Sequence, residues 1–129
     1  MKTTKTRILT KKNLERRLWA LCRELIINKY GKICYTCGQT NLEKGNLQVG
    51  HFIPRSTCGA FLKYDLRNLR PQCARCNVFL GGQGAEFYRN MLLREGQKYI
   101  DDLFHDKQRI TKAEDHWLKQ LQKYQTLCD

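Results

Sequence analysis

The sequence predicts a mostly helical α+β fold, built as one domain around a small metal-stapled centre, and three observations carry that prediction. Leu14, Leu18, Leu21, Cys22, Leu25 and Ile26 recur at helical spacing near the start of the chain. Two C-x2-C pairs, Cys34/Cys37 and Cys73/Cys76, bracket an irregular middle with many Gly and Asn. A capped pattern containing Trp117, Leu118, Leu121 and Tyr124 marks a last helix. At 129 residues, 41% of them hydrophobic, the chain is of single-domain size and can bury a core. Chains this short are often helped by a bound metal or a partner subunit.

Each element follows from local signals. Residues 1–9 are expected to be a flexible basic arm. Residues 10–30 form a basic helix, with Thr10 as its N-cap and Gly31 as its stop. Arg16, Arg17 and Arg23 lie off the apolar stripe, so one side of this helix is cationic: a solvated face, or one that contacts a phosphate backbone. Residues 31–82 are the expected zinc-stapled core, and within them Leu47–Ile53 alternates enough to predict a strand. A short helix is expected after Cys76, ending at Gly81-Gly82. Residues 83–129 hold the C-terminal helices: Ala85–Glu95 closed by Gly96, Lys98–Phe104, and one opened by the capping box Thr111-Lys112-Ala113-Glu114. Trp19 and Trp117 are assigned to the core or an interface, and His105 and His116 to the surface.

Charge narrows the partners. The net charge is +12, and it is unevenly spread: +8 in residues 1–32, +5 in 33–98 and −1 in 99–129. Such an excess favours a polyanion, because each phosphate neutralised releases a condensed counterion. No apolar run approaches membrane-spanning length, and the first residues lack the apolar core of a signal peptide. The expected location is therefore cytoplasmic. Seven cysteines in a reducing compartment point to metal more than to disulfides.

The two knuckles give the strongest signal. Zinc takes four thiolates in a tetrahedron, and each C-x2-C turn presents two of them. Cys34, Cys37, Cys73 and Cys76 thus close a structural Zn²⁺ shell with no open position. Cys22 falls on the apolar stripe as a small hydrophobe. Cys58 and Cys128 have no assigned partner.

Between and beside the knuckles stand His51, at the end of the expected strand, Asn68, and Asn77, which directly follows the last cysteine. Hydrolysing a phosphodiester needs an activated water, charge stabilisation on the phosphate and help for the leaving 3′ oxygen. A histidine can take the water's proton near neutral pH. Asn77 offers an oxygen to a hard cation such as Mg²⁺ or Mn²⁺, and it could also cap the following helix.

The order C-x2-C, His, Asn, C-x2-C-Asn resembles the HNH (ββα-metal) nuclease family, especially zinc-containing members of the phage recombination endonuclease VII kind. The wider string GHFIPRS…DLRNLRPQCARCN…GG…FYRNML…GQKYIDDL resembles the phage NinG/Rap recombination proteins. This resemblance implies a β-hairpin and helix clamped around a divalent ion and hydrolysis of DNA, on branched or four-way (Holliday) junction substrates. It also implies that His51 is the base, that Asn68 ties the motif together and that Arg55 grips a phosphate.

One departure stands out. Gly50 occupies the place where most HNH enzymes carry a metal-ligating Asp or His, and Gly81 the place of a further histidine. Glu86, Asp65 and His51 itself are open as additional ligands. Two other functions stay open beside the nuclease: a zinc-stapled DNA-structure-binding protein without catalysis, and a zinc-ribbon transcription factor. A homodimer is expected to use the apolar stripes of the first and last helices.

Overall fold

Thr10 opens the first helix as the sequence predicts, its hydroxyl accepting from Asn13 N at 3.1 Å. The computed structural model describes residues 9–128. The expected basic arm therefore lies outside the described residues, except for Leu9. Helix α1 spans Lys11–Tyr30 and stops at Gly31, whose φ of 80° no branched residue would adopt cheaply. Leu14, Leu18, Cys22 and Ile26, each four residues after the last, form its buried stripe. They pack with Trp117, Leu121 and Tyr124 of the last helix, α5 (Ala113–Cys128), over Val49 and Leu69. Each large aliphatic chain buried there contributes about 1.5–3 kcal/mol. The two apolar stripes thus face each other inside one chain, and a homodimer would need another surface.

The sheet has two strands, β1 (Gln48–His51) and β2 (Leu69–Gln72), antiparallel, with Gln48 opposite Gln72 and His51 opposite Leu69. Strand β1 is shorter than the expected Leu47–Ile53: Leu47 N closes the preceding turn on Lys44 O, and Asn68 ends the strand on the other side. Its backbone oxygen accepts from Phe52 N, its Oδ1 accepts from Ile53 N and its Nδ2 donates to Ile53 O. A side chain takes over where the ladder would have continued. The link from β1 to β2 contains a short helix, α2 (Gly59–Leu62), in place of a tight turn.

After β2 the chain makes one π-turn, Arg75–Phe79, closed by Leu80 N on Arg75 O at 2.8 Å. The expected helix after Cys76 is thus a wider turn that begins two residues earlier, at Arg75. Helices α3 (Gly84–Glu95) and α4 (Gln97–Asp106) meet at Gly96 and are each slightly longer than predicted. They cover a second core formed by Phe52, Ile53, Leu62, Phe87, Met91, Ile100 and Leu103. Helix α5 begins at Ala113 with His116 N on Lys112 O, which puts Lys112 at the cap position in place of Thr111. Among the described residues no helix is long and apolar enough to cross a membrane.

Arg70 joins the two cores. It is fully buried, its guanidinium lies over the rings of Tyr30, Tyr35 and Tyr99, and it pairs with Glu95 at 3.3 Å. Burying a cation without such partners would be very costly.

Candidate functional site

The zinc knuckles come together as their spacing requires. The ligand atoms of Cys34, Cys37, Cys73 and Cys76 all lie within 4.8 Å of one another, and Cys37 Sγ is 3.8 Å from Cys73 Sγ. Four thiolates about 2.3 Å from one ion would sit about 3.8 Å apart. The cluster is therefore compatible with a structural zinc site. Backbone donors prepare it: Cys37 N points at Cys34 Sγ and Cys76 N at Cys73 Sγ. Burial opposes ionisation of Cys34, yet hydrogen bonds from the backbone of Cys37, Cys73 and Thr36 and from the Cys37 thiol bring its pKa down to about 7. Burial and the neighbouring thiols push Cys37 and Cys76 upward, a repulsion that a central cation would remove. Asn46 fastens the second knuckle, its Oδ1 accepting from Ala74 N at 3.0 Å.

The same knuckle presents Asn77 across the sheet from His51. His51 Nε2 lies 2.8 Å from Lys63 O. A carbonyl can only accept, so Nε2 carries the proton and Nδ1 keeps its lone pair. Burial lowers the His51 pKa, with the charges of Arg55 and Lys63 acting in the same direction, against the pull of the Lys63 carbonyl. The imidazole is therefore held neutral with one nitrogen able to accept a proton.

Helix α1 builds the wall beside it. Lys11, Lys12, Glu15, Arg16 and Trp19 fall on one helical face and, with His51, Arg55 and Tyr64, line a basin of about 630 Å³. Trp19 stacks on the His51 ring. Glu15 holds the floor in place: its carboxylate accepts from Lys63 Nζ at 2.6 Å and Tyr64 OH at 2.8 Å. Burial alone would raise the Glu15 pKa, but these two donors leave it lowered. On the far side of His51, Asn77, Gly81 and Gly82 line a second hollow of about 380 Å³, shared with Trp19 and Arg55.

Gly50 is crowded. A Cβ there would collide with Gln72 Oε1 and lie 2.9 Å from Asn77 Oδ1. The space that a side chain at residue 50 would take is filled by Gln72, which is fully buried.

Other residues are not assembled at this site. Arg17 is exposed and does not line either hollow, since it sits on another face of α1 than Arg16. Arg23 donates to Leu47 O. Asp65 is bound by Arg67 in a separate hollow, and Glu86 is exposed in the first turn of α3. His105 is exposed, whereas His116, expected at the surface, is half-buried with Nε2 3.1 Å from Phe61 O. Cys22 and Cys58 are buried. Sequence reasoning missed Trp19, Lys11, Lys12, Glu15 and Gln72 as site residues. The first four were findable as one helical face ending at an aromatic residue.

With this geometry in place the comparison with known families is decisive. Residues 1–129 match the family described as Bacteriophage Lambda NinG protein. The chain belongs to the NinG family. No curated protein and no solved structure matches it. NinG membership makes this a phage protein of a recombination-associated family, and its four-cysteine cluster is compatible with a structural zinc site.

Proposed function

We propose that this chain is a metal-dependent DNA endonuclease that hydrolyses phosphodiester bonds, with branched recombination intermediates as its substrates. The observation that carries the reading is His51. It is neutral, oriented by the Lys63 carbonyl, and set in a basin lined by Lys11, Lys12, Arg16 and Arg55.

In this mechanism a DNA phosphate enters the basin, and its charge is met by Arg55 and the α1 cations. His51 Nδ1 accepts a proton from a water as that water's oxygen attacks phosphorus, and the bond to the 3′ oxygen breaks on the opposite side. Trp19 and Lys63 keep the ring from turning away. The residues available for a hard cation fit the role in kind: amide oxygens of the sort Mg²⁺ and Mn²⁺ accept, with Asn77 foremost. When bound, such an ion supplies stabilisation of the charge on the phosphate and on the departing oxygen. Asn68 touches none of these atoms and acts by fixing the loop after His51. Preference for branched DNA rests on family membership and the phage recombination setting.

The test is cleavage of matched linear duplex and four-way junction DNA with Mg²⁺, Mn²⁺ or EDTA, comparing wild type with His51→Ala. Metal-dependent cutting that disappears in the variant while binding persists supports the nuclease. Gly50, which offers no carboxylate, favours a second reading, a zinc-stapled DNA-structure-binding protein without catalysis. Wild type that binds junctions but never cuts, whichever metal is supplied, would establish that reading.

A further inference from the structure

Gln72 is fully buried, and its Oε1 has no hydrogen-bond partner, although a buried carbonyl oxygen left unpaired is costly. The orientation of its amide is fixed by what surrounds it. Nε2 lies 3.1 Å from Gly82 O, which can only accept, and 2.7 Å from Thr36 Oγ1. Turning the amide over would set two carbonyl oxygens against each other at Gly82, so Oε1 must face Gly50. Asn77 is fixed in the same way through Gln48. Gln48 Nε2 donates to Gly45 O at 2.9 Å, which leaves Gln48 Oε1 to accept from Asn77 Nδ2 at 2.8 Å. Asn77 Oδ1 therefore also points toward Gly50. Two amide oxygens, each oriented by acceptors that hold its amide nitrogen, converge on the point where a Cβ of residue 50 would stand.

Two acceptors converging on one point repel unless something positive lies between or beside them. Asn77 also lines the second hollow, with His51 and Gly82, while Gln72 Oε1 is itself buried. We infer that Gln72 is an oxygen ligand of a hard divalent cation, acting with Asn77, and that Gly50 lacks a side chain so that Gln72 can reach the site. Neutral oxygens suit Mg²⁺ or Mn²⁺ far better than zinc, which the four thiolates retain. The donor that a side chain at residue 50 could have supplied comes instead from the neighbouring strand. This inference rests on the nuclease reading for the ion's role, but the binding site stands on the geometry alone.

The test is Mn²⁺ binding by the zinc-loaded full chain, followed by electron paramagnetic resonance of free Mn²⁺, with zinc content measured in every sample. Gln72→Leu, which keeps the bulk and removes the oxygen, should weaken Mn²⁺ binding by about tenfold or more, the size of effect expected from losing a ligand-shell partner. Gln72→Glu should tighten it. Because loss of the Gln72 amide donors could disturb the fold, Gly50→Asp/Gln72→Ala provides the second arm. Its carboxylate enters the vacated space and should restore binding to wild-type strength or better. Unchanged Mn²⁺ affinity in Gln72→Leu and Gln72→Glu, with one zinc retained, overturns the inference, as does a wild type that binds no Mn²⁺. Cleavage is scored separately. If affinity follows residue 72 while wild type never cuts DNA, the ligand assignment stands and the nuclease reading falls.

Discussion

The indole of Trp19 lies parallel to the His51 imidazole, with ring centroids 5.4 Å apart and planes 4° apart. Thirty-two positions separate the two residues in sequence, and α1 exists in part to bring them together. On the proposed nuclease reading, Trp19→Ala should impair cleavage without removing the base: the ring gains freedom and water, and misplacement of a reacting group costs up to about 10²-fold. His51→Ala should lose about 10²–10⁴-fold. Single-turnover rates of the two variants on one substrate check the order. Equal losses would mean that Trp19 does more than support the ring.

With His51 as the proposed base, the acid limb of cleavage should lie low. Burial holds the His51 pKa below 6.5, so its proton-accepting form persists beneath that pH and the rate should fall only further down. The same shift affects stability. An unfolded His51 takes up its proton near pH 6.5 and the folded one at lower pH. Its contribution to stability is therefore complete above 6.5 and is lost as the pH drops toward the folded value. An NMR titration of the His51 ring measures this directly, and a midpoint above 6.5 would contradict it.

Removing zinc should cost the fold, not only the site. The four thiols hold the segment before β1 to the turn that carries Asn77. Structural zinc in small domains contributes about 10–16 kcal/mol of binding free energy. Cys37→Ser or Cys76→Ser should lower zinc below one per chain and lower the melting temperature, as measured by metal analysis and circular dichroism. A variant that melts like wild type without zinc would show the cluster to be dispensable.

Arg70 should be among the most sensitive positions outside the site. Arg70→Ala would leave Glu95 without its cation and three tyrosine rings without their filling. Breaking a buried pair from one side costs about 3–5 kcal/mol. Urea denaturation of the variant gives the number, and a change within experimental error would remove Arg70 from the framework.

Three arginines should separate by position. Arg16 and Arg55 line the basin and Arg17 does not. Replacing either of the first two with Ala should lower the slope of log binding constant against log salt by about one. Arg17→Ala should change it less, as titrations at several salt concentrations would reveal.

Where the sequence was readable, the physics was local. Thiols two residues apart can present both sulphurs to one ion, and Thr10 with the four-residue repeat of Leu14, Leu18, Cys22 and Ile26 is a helix in any context. Strand β2 was unreadable because all four of its residues, Leu69 to Gln72, are buried and one is proline, which leaves no alternation to detect. The early end of β1 depended on the Asn68 side chain, a contact across fifteen positions. Trp19 was readable as buried surface but not as the neighbour of His51. Gln72 was hidden for a different reason: an amide is ordinary in sequence, and only its placement over Gly50 marks it.

The packing of α1 on α5 has a consequence for the order of events during synthesis. The apolar stripe that begins at Leu14 leaves the ribosome first, but Trp117, Leu121 and Tyr124, which cover it, are made about a hundred residues later. Loop closure over so long a separation is slow and must await the last helix. Until then α1 has no lid, and the Trp19 wall has no fixed place against His51. The four-cysteine cluster can assemble as soon as Cys76 emerges, while the basin beside His51 takes shape only once α5 has been made.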